Sequence, residues 1–181
     1  MAATQSFDVT SGCDLQEVDN AVNQAMKEIR QRYDFKGQKV EIEFRRSENK
    51  LVVRAPDEYK LRAAWEVLEE KMVRRQVPLR NLQHGKPQPA AGGTVVEEVS
   101  LQQGIPTETA RAIVKYLKEQ KIKKLQSEIQ GDQVRISSPS RDDLQTVMRL
   151  LKEKDFSIEL KFGNYRSQVG GAVPARSAPP T

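Results

Sequence analysis

Apolar residues recur along this chain with two periods, and the switches between them mark its elements. Val18, Val22, Ala25, Met26, Ile29 and Tyr33 form one stripe at helical spacing. Asp14 before the stripe and Glu17 three residues on resemble a capping box. A second helix is predicted after Pro56-Asp57, with Leu61, Ala64, Trp65, Leu68 and Met72 on its buried side. A third follows Pro106-Thr107 and carries Ala110, Ile113, Val114 and Leu117; a fourth follows Pro139-Ser140 with Leu144, Val147, Met148 and Leu151. Period-two runs lie between the helices of each half. Val40, Ile42 and Phe44 turn through Ser47-Glu48-Asn49 into Leu51-Val52-Val53. Leu125, Ser127 and Ile129 turn through Gly131-Asp132 into Val134 and Ile136. A final strand is predicted at Phe156, Ile158, Leu160 and Phe162, and a short edge counterpart from Val77 to Leu82, where Pro78 disfavours an interior position. Phe7 to Val9 and Thr94 to Leu101 supply a strand before the first and third helices.

The second and fourth helices repeat one another. An offset of 83 positions takes Pro56 to Pro139, the cap Asp57 to Ser140, Leu61 to Leu144, Leu68 to Leu151 and Val53 to Ile136. For the first and third helices the offset is 88, taking Val22, Ala25, Met26 and Ile29 to Ala110, Ile113, Val114 and Leu117. The slip between the offsets falls in a loop, where insertions cost little. Each half reads strand-helix-strand-strand-helix-strand. The expected fold is α+β: two ferredoxin-like βαββαβ sandwiches from an internal duplication. Gly85 to Gly93 reads as a Pro/Gly/Ala linker, and residues 164–181 as a disordered low-complexity tail.

Composition narrows the functional classes. No apolar run approaches membrane-helix length, and the first residues have neither a basic leader nor an apolar core, so no secretory leader and no membrane partner are expected. Cys13 is the only cysteine, which excludes an internal disulfide and suits a cytoplasmic setting. His84 is the only histidine and lies in the flexible linker; no Cys/His cluster has metal spacing. Phosphate-cradling glycine loops, nucleophile elbows and dinucleotide fingerprints are missing. Asp142-Asp143 opens the fourth helix, where acids favour the dipole rather than catalysis. No catalytic residue, metal or cofactor is expected, and an enzyme acting on nucleotides would lack a visible general base.

Charge offers better leads. The net charge is +5, and the basic residues cluster. Arg111, Lys115, Lys118, Lys121, Lys123 and Lys124 face one acid, Glu119; Lys71, Arg74, Arg75, Arg80 and Lys86 have no acid between them. Such clusters can track phosphates or simply solvate a helix face. Arg32, Tyr33, Asp34, Phe35, Lys36 and Gly37 form the most distinctive short group. Phe35 and Lys36 there could stack on and neutralise a nucleotide, although a helix end with an apolar anchor and a terminal glycine explains them better. The central strands carry no aromatic platform for single-stranded RNA. The candidate nucleotide- or nucleic-acid-binding residues are Arg32, Phe35, Lys36, Arg111, Lys115, Lys118, Lys123, Lys124 and Arg135.

Several blocks together resemble the bacterial YajQ family: SFDV from Ser6, NAVNQAMKEIRQRYDFKG from Asn20 to Gly37, QGI from Gln103 to Ile105, IQGDQVRI from Ile129 to Ile136, and RDDLQTVM from Arg141 to Met148. The resemblance extends to about Arg166. It implies a cytosolic, non-enzymatic protein that binds nucleotides or RNA, with cyclic di-GMP as a ligand and a transcription-factor partner in some members. It also implies that each domain takes its first strand from the other half, giving domains of 14–102 and of 1–13 plus 103–163. The chain departs from the family at Ser138-Pro139-Ser140, where a Gly-Lys pair is common. The alternative is an adaptor whose basic surfaces meet an acidic protein and which has no nucleotide ligand.

Overall fold

The structure, a computed structural model, describes residues 4–168. Its strands are β1 (Thr4–Thr10), β2 (Glu41–Arg45), β3 (Lys50–Ala55), β4 (Leu82–His84), β5 (Gln88–Pro89), β6 (Val95–Leu101), β7 (Gln126–Gln130), β8 (Gln133–Ser138) and β9 (Lys161–Gln168). Its helices are α1 (Leu15–Gln31), α2 (Glu58–Arg74), α3 (Thr107–Glu119) and α4 (Arg141–Glu153). The chain is therefore mixed α/β with two antiparallel sheets and four α-helices among the described residues, compatible with a duplicated ferredoxin-like α+β fold.

The chain divides into two compact units, one formed by Gly12–Gln103 and the other by the described parts of 1–11 and 104–181. In the first, the sheet order is β2-β3-β6-β4 with β5 also against β6. Leu51, Val53 and Ala55 of β3 and Val99 and Leu101 of β6 meet Ala21, Ala25 and Ile29 of α1 and Leu61, Ala64 and Leu68 of α2 in one core. In the second, the order is β7-β8-β1-β9. Phe7 and Val9 of β1, both fully buried, pack with Val134 and Ile136 of β8, Ile113 and Leu117 of α3 and Leu144 and Leu151 of α4.

Caps set the helix starts. The Asp14 carboxylate accepts from the N–H groups of Gln16 and Glu17, Asp57 from that of Lys60, and Ser140 from that of Asp143. Gly131-Asp132 closes the β7–β8 hairpin with Gly131 at φ +60. Gln103 clasps the two ends of the first unit: Cys13 N–H donates to its Oε1 at 2.7 Å, and its Nε2 donates to the Cys13 carbonyl at 3.0 Å. Gly104 then turns at φ +77 against Asp132, where a Cβ would fall 2.5 Å from the carboxylate oxygen. The QGI and GD motifs thus meet a structural demand.

Several sequence expectations are corrected. Tyr33 is not on the buried stripe; α1 ends at Gln31 and Tyr33 stands 88% exposed in a 3-10 turn. The last strand starts later than predicted, at Lys161, because Ser157 takes φ +70 and donates to Asp155 at 2.8 Å, a turn that interrupts the alternation although Phe156 and Ile158 remain buried. That strand runs to Gln168, so the segment assigned to a tail from 164 is strand as far as 168, and the rest lies outside the described residues. His84 is not in a loose linker: it ends β4, its Nδ1 lies 2.7 Å from Glu97, and its ring sits edge-on to Trp65. Part of the predicted linker is β5, paired with β6. The Val77–Leu82 strand is shortened by a 3-10 turn at Leu79–Asn81, which buries Asn81 with its amide donating to the Gln102 carbonyl.

These pairings define what can fold alone. A fragment of residues 12–103 holds all five strands of its sheet, and should show a cooperative thermal transition by circular dichroism. A fragment of residues 1–93, cut after the Pro/Gly-rich stretch, lacks β6 at the centre of that sheet and should show none.

Candidate functional site

The candidates separate according to whether their charge is already engaged. At the end of α1, Arg32 donates to both carboxylate oxygens of Asp34, at 2.7 and 3.0 Å, and lies 3.5 Å from Glu28. The hydrogen bond from Arg32 is the main cause holding the Asp34 carboxyl below the usual range. Phe35 is 4% exposed and part of the core, with the Arg32 guanidinium 5.2 Å and the Lys60 ammonium 5.4 Å from its ring centre. Lys60 also donates to the Asp34 carbonyl. A base cannot stack on Phe35 where it stands; Lys36 is exposed beside it. The exposed aromatics of this region are Tyr33 and Tyr59, which helical periodicity could not single out.

The basic run from Lys71 to Lys86 is largely neutralised. Lys71 is 8% exposed and donates to Glu28 at 2.8 Å, which is the main reason the Glu28 carboxyl is lowered. Arg74 pairs with Glu70 at 2.8 Å, and Arg75 approaches Glu17 to 3.5 Å. The acids come from α1 or an earlier turn of α2, so the sequence interval without acids said nothing about the third dimension.

Arg135 is engaged too. It lies on β8 opposite Asp8 of β1, and its Nε donates to the Asp8 carboxylate at 3.0 Å. Asp8 is 4% exposed and also receives Asn164 at 2.6 Å and Arg166 at 3.5 Å. Burial alone would raise this carboxyl. The hydrogen bonds from Asn164 and Arg135, with the charges of Arg135 and Arg166, outweigh that and hold it below the usual range.

The remaining candidates form a track. Arg111, Lys115 and Lys118 recur at i, i+4 and i+7 on the exposed side of α3, opposite Ala110, Ile113 and Leu117, over about 10 Å of helix. Lys121, Lys123 and Lys124 continue it through the turn into β7 and are exposed. No ion pair of these six cations is found among the described residues. Lys118 and Lys121 border a depression of about 200 Å³ floored by Leu117, Ile122 and Leu125. Lys121 and Lys124 hold φ +54 and +61, backbone that favours glycine. Lys121 occupies the position just past a helix end where glycine is usual. That conformation has no sequence signal, because Lys-Ile-Lys-Lys carries no glycine or asparagine. No cluster of histidine, cysteine and acid able to hold a metal occurs among the described residues. No helix among them is long and apolar enough to cross a membrane.

Comparison with known proteins agrees with the blocks seen in the sequence. A family model described as nucleotide-binding protein, YajQ-like, matches residues 5–166. A protein of Carboxydothermus hydrogenoformans named nucleotide-binding protein is 51% identical over 166 residues, covering 92% of this chain and all of its own. A protein of Trichlorobacter lovleyi with the same name is 50% identical, covering 89% of this chain and 98% of its own.

The Asp8 cluster makes a measurable prediction. Asp8→Asn should lower the unfolding free energy near neutral pH by roughly 1–3 kcal/mol, below the ~3–5 of a wholly buried pair because Arg135 and Arg166 keep some solvent contact. The folded-state carboxyl titrates below its unfolded value of about 3.9, so the contribution is complete above that pH and is lost as pH falls through the lower folded value. Urea unfolding of both proteins across that range should show the gap closing in acid.

Proposed function

The chain belongs to the YajQ-like nucleotide-binding protein family, and from that premise we propose that it binds RNA through the phosphate backbone along α3, as a regulatory protein that does not turn its ligand over. The observation that carries this is the set of six cations from Arg111 to Lys124 with no acidic partner among the described residues. Cations tied to carboxylates add little to polyanion binding, whereas unpaired ones release counterions from a nucleic acid. The absence of an aromatic platform on β1 and β8 favours backbone contact over base reading. Backbone strain supports the same surface: a lysine at φ +54 costs stability that a glycine there would not, and such strain concentrates at functional sites.

The architecture is read in the same way. The two sheets are copies of one βαββαβ unit whose first strands have changed places, a reading supported by β1 lying between β8 and β9 and β6 between β3 and β4. The setting is the cytoplasm, as the lone cysteine suits.

Binding of a labelled single-stranded RNA, followed by anisotropy at several salt concentrations, tests the function, with cyclic di-GMP as a second probe. Lys115→Glu with Lys118→Glu should weaken RNA binding and reduce the salt slope by about 0.7 for each phosphate left without its cation. Equal affinity in the reversed variant would refute the track. Lys121→Gly should separate stability from function: relief of the left-handed backbone raises stability by up to about 1 kcal/mol, while RNA affinity falls.

A further inference from the structure

The sheet of the second unit has two outer strands, β7 and β9, and they are finished differently. β9 is broken by a bulge opposite Ser6 to Asp8, with Asn164 at φ +53 inside it. β7 pairs with β8 in unbroken register from Gln126 to Gln130 and contains no proline. Bulges and prolines are ordinary means of closing an outer strand to a further one. β7 has neither.

Register shows which main-chain groups of β7 are free. The two-residue turn Gly131-Asp132 makes Gln130 and Gln133 the closing pair, which exchange both bonds with each other. Alternation then turns Gln126 and Glu128 toward β8 as well, and aims the N–H and C=O groups of Ser127 and Ile129 away from it. No partner for those groups is found among the described residues. The side chains of the same two residues lie on the helix-covered face, because Ser127 stands opposite Ile136 and Ile129 opposite Val134, both in the core. Ile129 is 39% exposed there, an apolar residue with no strand beside it.

Shape and charge on that face select the occupant. Ser127 lines the depression of about 200 Å³ whose apolar floor is Leu117, Ile122 and Leu125, with Lys118 and Lys121 on its rim. Lys123 and Lys124, both exposed, lead into β7. The one acid of β7, Glu128, stands opposite Arg135 on the other face. Two copies of this edge paired with each other would set lysine against lysine, so charge disfavours a second copy of the chain. We infer that the free edge of β7 takes up an extended acidic segment of a partner protein as a fifth strand, antiparallel like the other pairs of this sheet. An apolar side chain opposite Ser127 enters the depression, and acids two positions to either side share the lysine-bearing face. The main chain supplies affinity, and the depression with its lysines selects the sequence. Lys118 and Lys121 also belong to the track assigned to RNA, but the strand edge does not, so either reading stands without the other.

Anisotropy of a labelled peptide, Thr-Glu-Thr-Leu-Thr-Glu-Thr, titrated with the full chain tests it. The peptide should saturate with a Kd below about 1 mM, and serine for its leucine or glutamine for both glutamates should weaken binding at least ~10-fold. Methylating the backbone nitrogens of the leucine and glutamates removes the N–H groups that face β7 and should abolish saturation. Methylating those of the inner threonines, which face solvent, should leave the Kd unchanged. On the protein, Ser127→Pro deletes an outward N–H without breaking the ladder to β8. It should weaken the peptide at least ~10-fold, with circular dichroism and RNA affinity unchanged. The inference is overturned if the parent peptide does not saturate, or if methylation on the β7-facing side leaves the Kd unaltered. A dimer of the free chain in sedimentation that Ser127→Pro dissolves would assign the edge to a second copy and overturn it as well. None of these results bears on RNA binding along α3.

Discussion

Phe7 and Val9 are the contacts on which the second unit depends. Both are fully buried, and β1, which carries them, lies inside the sheet between β8 and β9. The partners are far away in sequence: Phe7 faces Ile136 and Val9 faces Val134. Without this strand α3 and α4 would have no continuous apolar surface to cover, and β8 and β9 would each expose an unpaired edge. β6 serves the first unit in the same manner, with Val99 fully buried between β3 and β4. In each sheet the interior strand arrives over the longest loop closure, so folding must meet that entropy before the core rewards it.

Alternation along β1 carries a consequence for charge. With Phe7 and Val9 pointing into the core, Asp8 must point to the opposite face, where it is nonetheless almost wholly covered. A buried carboxylate needs compensation, and Arg135, Arg166 and Asn164 supply it. Arg135 is thereby committed to the sheet. An arginine that looked like a spare cation on a hydrophobic strand is the counter-charge of a residue 127 positions away.

That distance explains which features were legible in the sequence. Helix stripes, caps and the Gly131-Asp132 hairpin are local, and short-range chemistry decides them. The Tyr33 error came from extending a helical period past a helix end set by extended backbone at Arg32. His84 looked loose because Pro and Gly follow it, but Trp65 and Glu97 hold it. The final strand was displaced because Ser157 adopts a positive φ that its residue type does not announce. The basic clusters were the hardest to weigh. Lys71, Arg74 and Arg75 cannot be told from Lys115, Lys118 and Lys121 by counting charges, since what separates them is whether acids lie within reach.

Acidic partners therefore decide which basic surface is available. α1 contributes Glu17 and Glu28 toward α2, and α2 contributes Glu70 along its own face, so the cations at the end of α2 brace that helix pair. α3 has Glu119 alone within its run. Like charges at i and i+4 on one helix oppose folding, and residues at positive φ in the following turn oppose it again. Tertiary packing through Ile113 and Leu117 offsets both. A sequence shaped only for stability would set acids within pairing reach of these lysines, beyond Glu119, which pairs with none of them among the described residues, and a glycine at 121. That the chain does neither is a reason to assign the surface to a partner rich in negative charge rather than to solvent.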